Sequence, residues 1–65
     1  MIELTRLDDT LFVLNCELIE CIEEKPDTII STISGKKYIV KESTKEVVEK
    51  AVKYKSKVWG IQKHI

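Results

Sequence analysis

The sequence predicts an α+β fold: a small five-stranded antiparallel, curled sheet followed by one C-terminal amphipathic helix. Three observations predict it. From Thr5 to Ser43 the chain is a series of short, β-branched or alternating segments separated by turn residues. At Ser43 the hydrophobic period changes from 2 to 3.6. After that the apolar spacing stays helical until Gly60, a natural helix stop.

Strands are expected near residues 2–7, 10–14, 18–24, 28–33 and 36–41. Ile2 to Leu7 alternates, with Ile2 and Leu4 on one face and Glu3 and Thr5 on the other. Asp8-Asp9 is turn chemistry. Leu11 to Leu14 is apolar throughout, which predicts a strand covered on both faces, and Asn15-Cys16 breaks it. In the third strand Leu18, Glu20, Ile22 and Glu24 share one face, with Ile19, Cys21 and Glu23 on the other. Pro26-Asp27-Thr28 then reads as a type I turn: Pro26 presets φ at its second position and Asp27 bonds its own backbone. Thr28 to Ile33 is rich in β-branched residues, as strands prefer. Ser34-Gly35 is a hairpin connector, with Gly35 supplying positive φ, and Tyr38 to Lys41 closes the fifth strand.

Ser43-Thr44-Lys45-Glu46 is a capping box, in which the Ser43 hydroxyl accepts from the Glu46 amide and Glu46 reaches back. The helix runs from about Thr44 to Trp59. Val47, Val48, Ala51, Val52, Tyr54, Lys55, Val58 and Trp59 form its stripe. Residues 60–65 are a short tail. The whole chain of 65 residues reads as a single domain, without internal repeat or low-complexity segment.

A chain of this length buries only roughly 60% of the surface that its unfolded form exposes. Ile19, Cys21, Ile22, Ile29, Ile30, Ile33, Ile39 and Val40 fall on both sides of their strands, and one helix cannot cover both faces of such a sheet. Either the sheet curls into a partly closed barrel or a second copy covers the surplus. A homo-oligomer, dimer or trimer, is therefore expected. Trp59, Ile61, Ile65, Val52 and Val48 are the candidate self- or partner-interface residues, since aromatic anchors carry much of interface energy.

Formal net charge is zero, but residues 1–32 carry eight acidic and two basic side chains and residues 33–65 carry nine lysines and three glutamates. The simplest reading sets the acidic third strand against the basic fourth and fifth across a sheet. The alternative sets the acidic strand edge of one subunit against the basic helix of another.

The sequence holds little chemistry. His64 is the only histidine and stands next to the C-terminus; no serine or cysteine has a motif marking it as a nucleophile. Cys16 and Cys21 lack the paired spacings of a structural zinc site, and the acidic cluster Glu20, Glu23, Glu24 and Asp27 lacks the pattern of a calcium loop. Gly35 and Gly60 are isolated, so no phosphate-cradling loop is present. The expectation is a non-enzyme with no cofactor and no metal. Met1 is followed directly by strand-like sequence, and the longest apolar run is four residues, Leu11 to Leu14. No transmembrane segment or leader is expected, and the location expected is cytoplasmic with reduced cysteines. Trp59, Ile61 and Ile65 beside Lys55, Lys57 and Lys63 are suited to peripheral contact with a membrane surface or a partner. A small nucleic-acid-binding regulator is the alternative function. Lys36, Lys37, Lys41, Lys45, Lys50, Lys53, Lys55, Lys57 and Lys63 would line its surface, with Tyr38, Tyr54 or Trp59 as stacking platforms. Against it, the single arginine, Arg6, lies in the acidic half, whereas base reading relies on arginine.

An ordered set of short motifs carries a resemblance. They are Thr5-Arg6-Leu7, Leu14-Asn15 with Leu18-Ile19-Glu20, Ile22-Glu23-Glu24 with Pro26-Asp27-Thr28, the run from Gly35 to Ser43, and Glu46-Val47-Val48. On these residues the chain resembles the FlbD/SwrD family of small flagellar proteins over about residues 1–55. Asp8-Asp9 departs from the Asn-Gly-type turn usual in that family, and Cys16 and Cys21 are not among its hallmarks. The resemblance implies a cytoplasmic bacterial protein that supports motility. For some members it implies a role in raising flagellar power for swarming, through the stator or the basal body. It carries over no catalytic residue.

Overall fold

The computed structural model describes residues 1–59, and of residues 58 and 59 the backbone alone. Strands β1 (Ile2–Thr5) and β2 (Leu11–Leu14) precede a single 3-10 turn, Cys16–Leu18. Strands β3 (Ile19–Glu24), β4 (Thr28–Thr32) and β5 (Lys37–Val40) follow, then helix α1 (Thr44–Trp59). All pairing is antiparallel. The expected five strands and one helix form, but they make two sheets, β1-β2 and β3-β4-β5, rather than one curled sheet.

The physical reason lies at Thr5. Its main-chain groups face β5, and Lys41 N–H donates to Thr5 O at 2.8 Å. A continuous ladder would also carry Thr5 N–H to a strand carbonyl. Instead the Glu42 carboxylate takes it at 3.0 Å, and Thr5 Oγ1 donates to the other carboxylate oxygen at 2.8 Å. Only an isolated bridge, Arg6 to Val40, joins the sheets along their edges. Side chains add a second join: Phe12 of β2 stacks on Tyr38 of β5 with ring centroids 5.4 Å apart, and the Arg6 guanidinium lies 4.3 Å from the Phe12 ring centre.

Two hairpins share one turn geometry. Arg6 N–H donates to Thr10 O and Asp9 N–H to Arg6 O in the first; Thr32 N–H donates to Lys36 O and Gly35 N–H to Thr32 O in the second. This is the three-residue loop with a left-handed third residue, occupied by Asp9 at φ 73° and by Gly35 at φ 90°. Asp8 Oδ1 accepts from Thr10 N–H and Thr10 Oγ1, which braces the first loop. The β3–β4 connection is closed by Lys25 N–H donating to Asp27 O at 3.1 Å across a cis Lys25–Pro26 peptide, rather than by the type I turn expected there.

The core is Ile2, Leu4, Leu14, Cys16, Ile30, Val40 and Val47, with Thr28 and Thr32 buried beside them. Each such aliphatic side chain contributes about 1.5–3 kcal/mol by leaving water. Strand β2 is covered on one face, not two: Leu14 is buried and Phe12 half-buried, but Leu11 and Val13 stand out from it. The one-turn 3-10 element replaces the simple break expected after β2 and takes in Leu18. Asn15 nucleates it by accepting the Glu17 N–H at 3.0 Å.

Candidate apolar groove between the helix and strand three

Helix α1 starts where the sequence indicates. Ser43 N–H donates to Glu46 Oε1 at 2.8 Å and Glu46 N–H donates to Ser43 Oγ at 3.2 Å, the reciprocal capping box. A third acceptor comes from the sheet: Glu24 Oε1, at the end of β3, accepts Thr44 N–H at 2.9 Å. That bond holds the Glu24 carboxyl below its ordinary range, and an anion there also favours the positive end of the helix dipole. The helix is thereby tied to β3 at its first turn.

From that anchor the helix's apolar stripe divides. Val47 is fully buried, and Ala51 and Tyr54 pack behind it against the core. Val48 and Val52 form a second row that is 45% and 57% exposed. With Cys16, Ile19, Ile22, Ala51 and Lys55 they line a groove of about 220 Å³ between α1 and β3. Glu24 and Thr44 close one end of this groove. At the other, Lys55 Nζ lies 4.0 Å from Glu17 Oε1. On the strand side Glu17, in the 3-10 turn, and Glu20 are exposed, while Lys45 and Lys55 are exposed on the helix side. An apolar floor between rims of opposite sign suits a protein segment with an apolar stripe.

Of the interface candidates named from the sequence, Val48 and Val52 come together in this groove. The Trp59 side chain, Ile61 and Ile65 lie outside the described residues. Sequence reasoning missed the opposite wall: Cys16, Ile19 and Ile22. The available signal was Asn15 two residues before Glu17, the local cap that folds Cys16 inward. The two cysteines differ, Cys16 buried and Cys21 exposed, and both are free.

The lysines do not share one surface. Lys50, Lys53 and Lys57 line a second depression with Met1, Glu3 and Tyr54 on the β1 side of the helix. Lys41 pairs with Asp9, and Lys37 lies on β5 beside Arg6 and Asp8. Nor do the acidic and basic halves meet as strand neighbours. The uncharged β4 separates β3 from β5. Among the described residues the halves are joined by Asp9–Lys41 and Glu17–Lys55. No grouping of three or more metal-ligating side chains occurs among the described residues, and no helix there is long and apolar enough to cross a membrane.

Comparison with curated proteins and with solved structures finds no match. A family model does match: FlbD, described as flagellar and swarming motility proteins, aligns with residues 1–59. It spans both sheets and the helix, including every described residue of the groove. The chain belongs to the FlbD family of flagellar and swarming motility proteins.

Proposed function

We propose that this protein is a non-enzymatic motility factor, an assembly or adaptor protein that supports the power of the flagellar motor, through its stator or basal body, by protein–protein contact. The observation that carries this reading is the groove. In a family of motility proteins, this chain leaves Val48 and Val52 exposed beside Ile19 and Ile22 when neighbouring Val47 is fully buried. The occupant that fits is an amphipathic helix of a motor component. Its apolar stripe would fill the groove, with basic residues toward Glu17 and Glu20 and acidic residues toward Lys45 and Lys55. The site of action that follows is the cytoplasmic side of the flagellar base.

The test is a deletion strain complemented with the wild-type gene or with a Val48→Asp, Val52→Asp variant. The expected phenotype of both the deletion and the variant is flagella of normal number that rotate weakly, with the variant protein present at the wild-type level. Loss of the flagella themselves would replace a motor role by one in assembly or expression. Full motility of the variant would remove the groove from the function.

A further inference from the structure

The two-stranded sheet ends on β2, whose outer edge pairs with no other strand among the described residues. The ladder with β1 determines which groups are free there. Arg6 N–H donates to Thr10 O, so the bonded pairs recur at Leu4–Phe12 and Ile2–Leu14. That alternation directs the N–H and C=O of Leu11 and Val13 away from β1. Thr5, the partner of Leu11, shows the same phase, since its N–H and C=O turn outward to Glu42 and Lys41. The side chains of the two residues stand on the sheet's outer face, Leu11 62% and Val13 63% exposed. Free edges are normally protected by charged residues or proline. Strand β2 has neither, whereas the other free edge, β3, carries Glu20, Glu23 and Glu24.

We infer that β2 is the edge through which two copies of this chain associate, pairing β2 to β2 antiparallel about a two-fold axis at Phe12. In this register Leu11 of each protomer faces the partner's Val13. Each such pair exchanges two main-chain hydrogen bonds, and the sheet runs four strands across the dimer. A second copy is the occupant because the strand is its own complement. Both exposed side chains are aliphatic and similar in bulk, no like charges meet, and the two-fold closes the contact. Pairing β3 with β3 would set glutamates against one another. Pairing β2 with β3 is head-to-tail and would leave one unprotected β2 edge open to further copies. The inference uses a surface separate from the α1/β3 groove and does not depend on the motility reading.

Sedimentation equilibrium of the full chain across the micromolar range is expected to show a monomer–dimer equilibrium. Val13→Lys, at an exposed position, should weaken the dimer by about tenfold or more and leave the circular dichroism unchanged. Leu11→Lys serves if that variant does not fold. The register has its own test. The double variant Leu11→Lys, Val13→Lys sets lysine against lysine and should be monomeric. Leu11→Lys, Val13→Glu sets lysine against the partner's glutamate and should dimerise. A wild-type chain that stays monomeric throughout overturns the inference. So does a dimer that both lysine variants leave intact, or a Lys/Glu double variant no better than the Lys/Lys one. None of these results bears on the groove, whose variant is read by motility.

Discussion

The Glu42 carboxylate grips Thr5 twice, accepting its main-chain N–H at 3.0 Å and its hydroxyl at 2.8 Å across 37 positions of sequence. This side chain stands in for the strand neighbour that β1 lacks at this point, and it stitches the first sheet to the segment entering the helix. Partial burial acts to raise the Glu42 carboxyl, but the two bonds from Thr5, together with its own main-chain N–H and the charge of Lys50, outweigh it and leave the group below its ordinary range.

Glu42→Ala is therefore expected to destabilise the fold by about 1–2 kcal/mol at neutral pH, read as a lower urea midpoint. The sign of its pH dependence follows from the depressed folded-state value. The contribution is fully present above the unfolded glutamate value, about 4.3, and is lost as pH falls through the folded value. The gap between wild type and variant should be constant near pH 7 and narrow below about pH 4.

The two hairpin loops of identical bonding make a matched pair. Gly35 has open space where a Cβ would go, so Gly35→Ala tests the left-handed backbone alone and should cost about 1 kcal/mol. At Asp9 the same conformation is already borne by a side chain. Asp9→Gly relieves the backbone and loses the exposed pair with Lys41, so it should lie within about 0.5 kcal/mol of wild type. Asp9→Val, β-branched at positive φ, should cost more than Gly35→Ala. Thermal melts of the three variants check the order.

Much of this fold was legible because local chemistry dictated it. Ser43 and Glu46 cap the helix as their spacing indicates, Gly35 takes positive φ, and Ile2 and Leu4 share the buried face of β1. What was not legible depends on long-range partners. The competition between Glu42 and a strand carbonyl for the Thr5 amide decides whether the sheet is continuous, and nothing near Thr5 in sequence announces it. The apolar run of β2 suggested two covered faces, yet only the alternating pair Phe12 and Leu14 turns inward. The groove was half visible: Val48 and Val52 followed from helical spacing, but its strand wall required the 3-10 turn and the Glu24–Thr44 tie.

The cysteines should report on folding separately. Cys21 is exposed on β3 and should react with a thiol reagent in the native state. Cys16 is buried in the core and should react only as the chain opens, at a rate that tracks global stability. Mass spectrometry of a labelling time course distinguishes one fast site from two.

Adjacent positions on α1 give the sharpest separation of structure from function. Val47 has no exposed surface and sits in the core with Leu4, Ile30 and Val40. Val47→Ala removes two buried methyl groups and leaves a cavity, so it should cost about 2 kcal/mol and lower the melting temperature. Val48 and Val52, one and five positions on, expose 45% and 57% of their surface. Val48→Ala and Val52→Ala should each stay within about 0.5 kcal/mol, because an exposed valine is also a weaker helix former than alanine. Motility should invert that order. A strain with Val47→Ala swims in proportion to the folded protein that it retains, and recovers when expression is raised. A strain with both groove valines truncated holds normal protein levels and does not recover with expression. If raising expression rescues both strains equally, the second valine row acts through stability alone and the groove is not a docking surface.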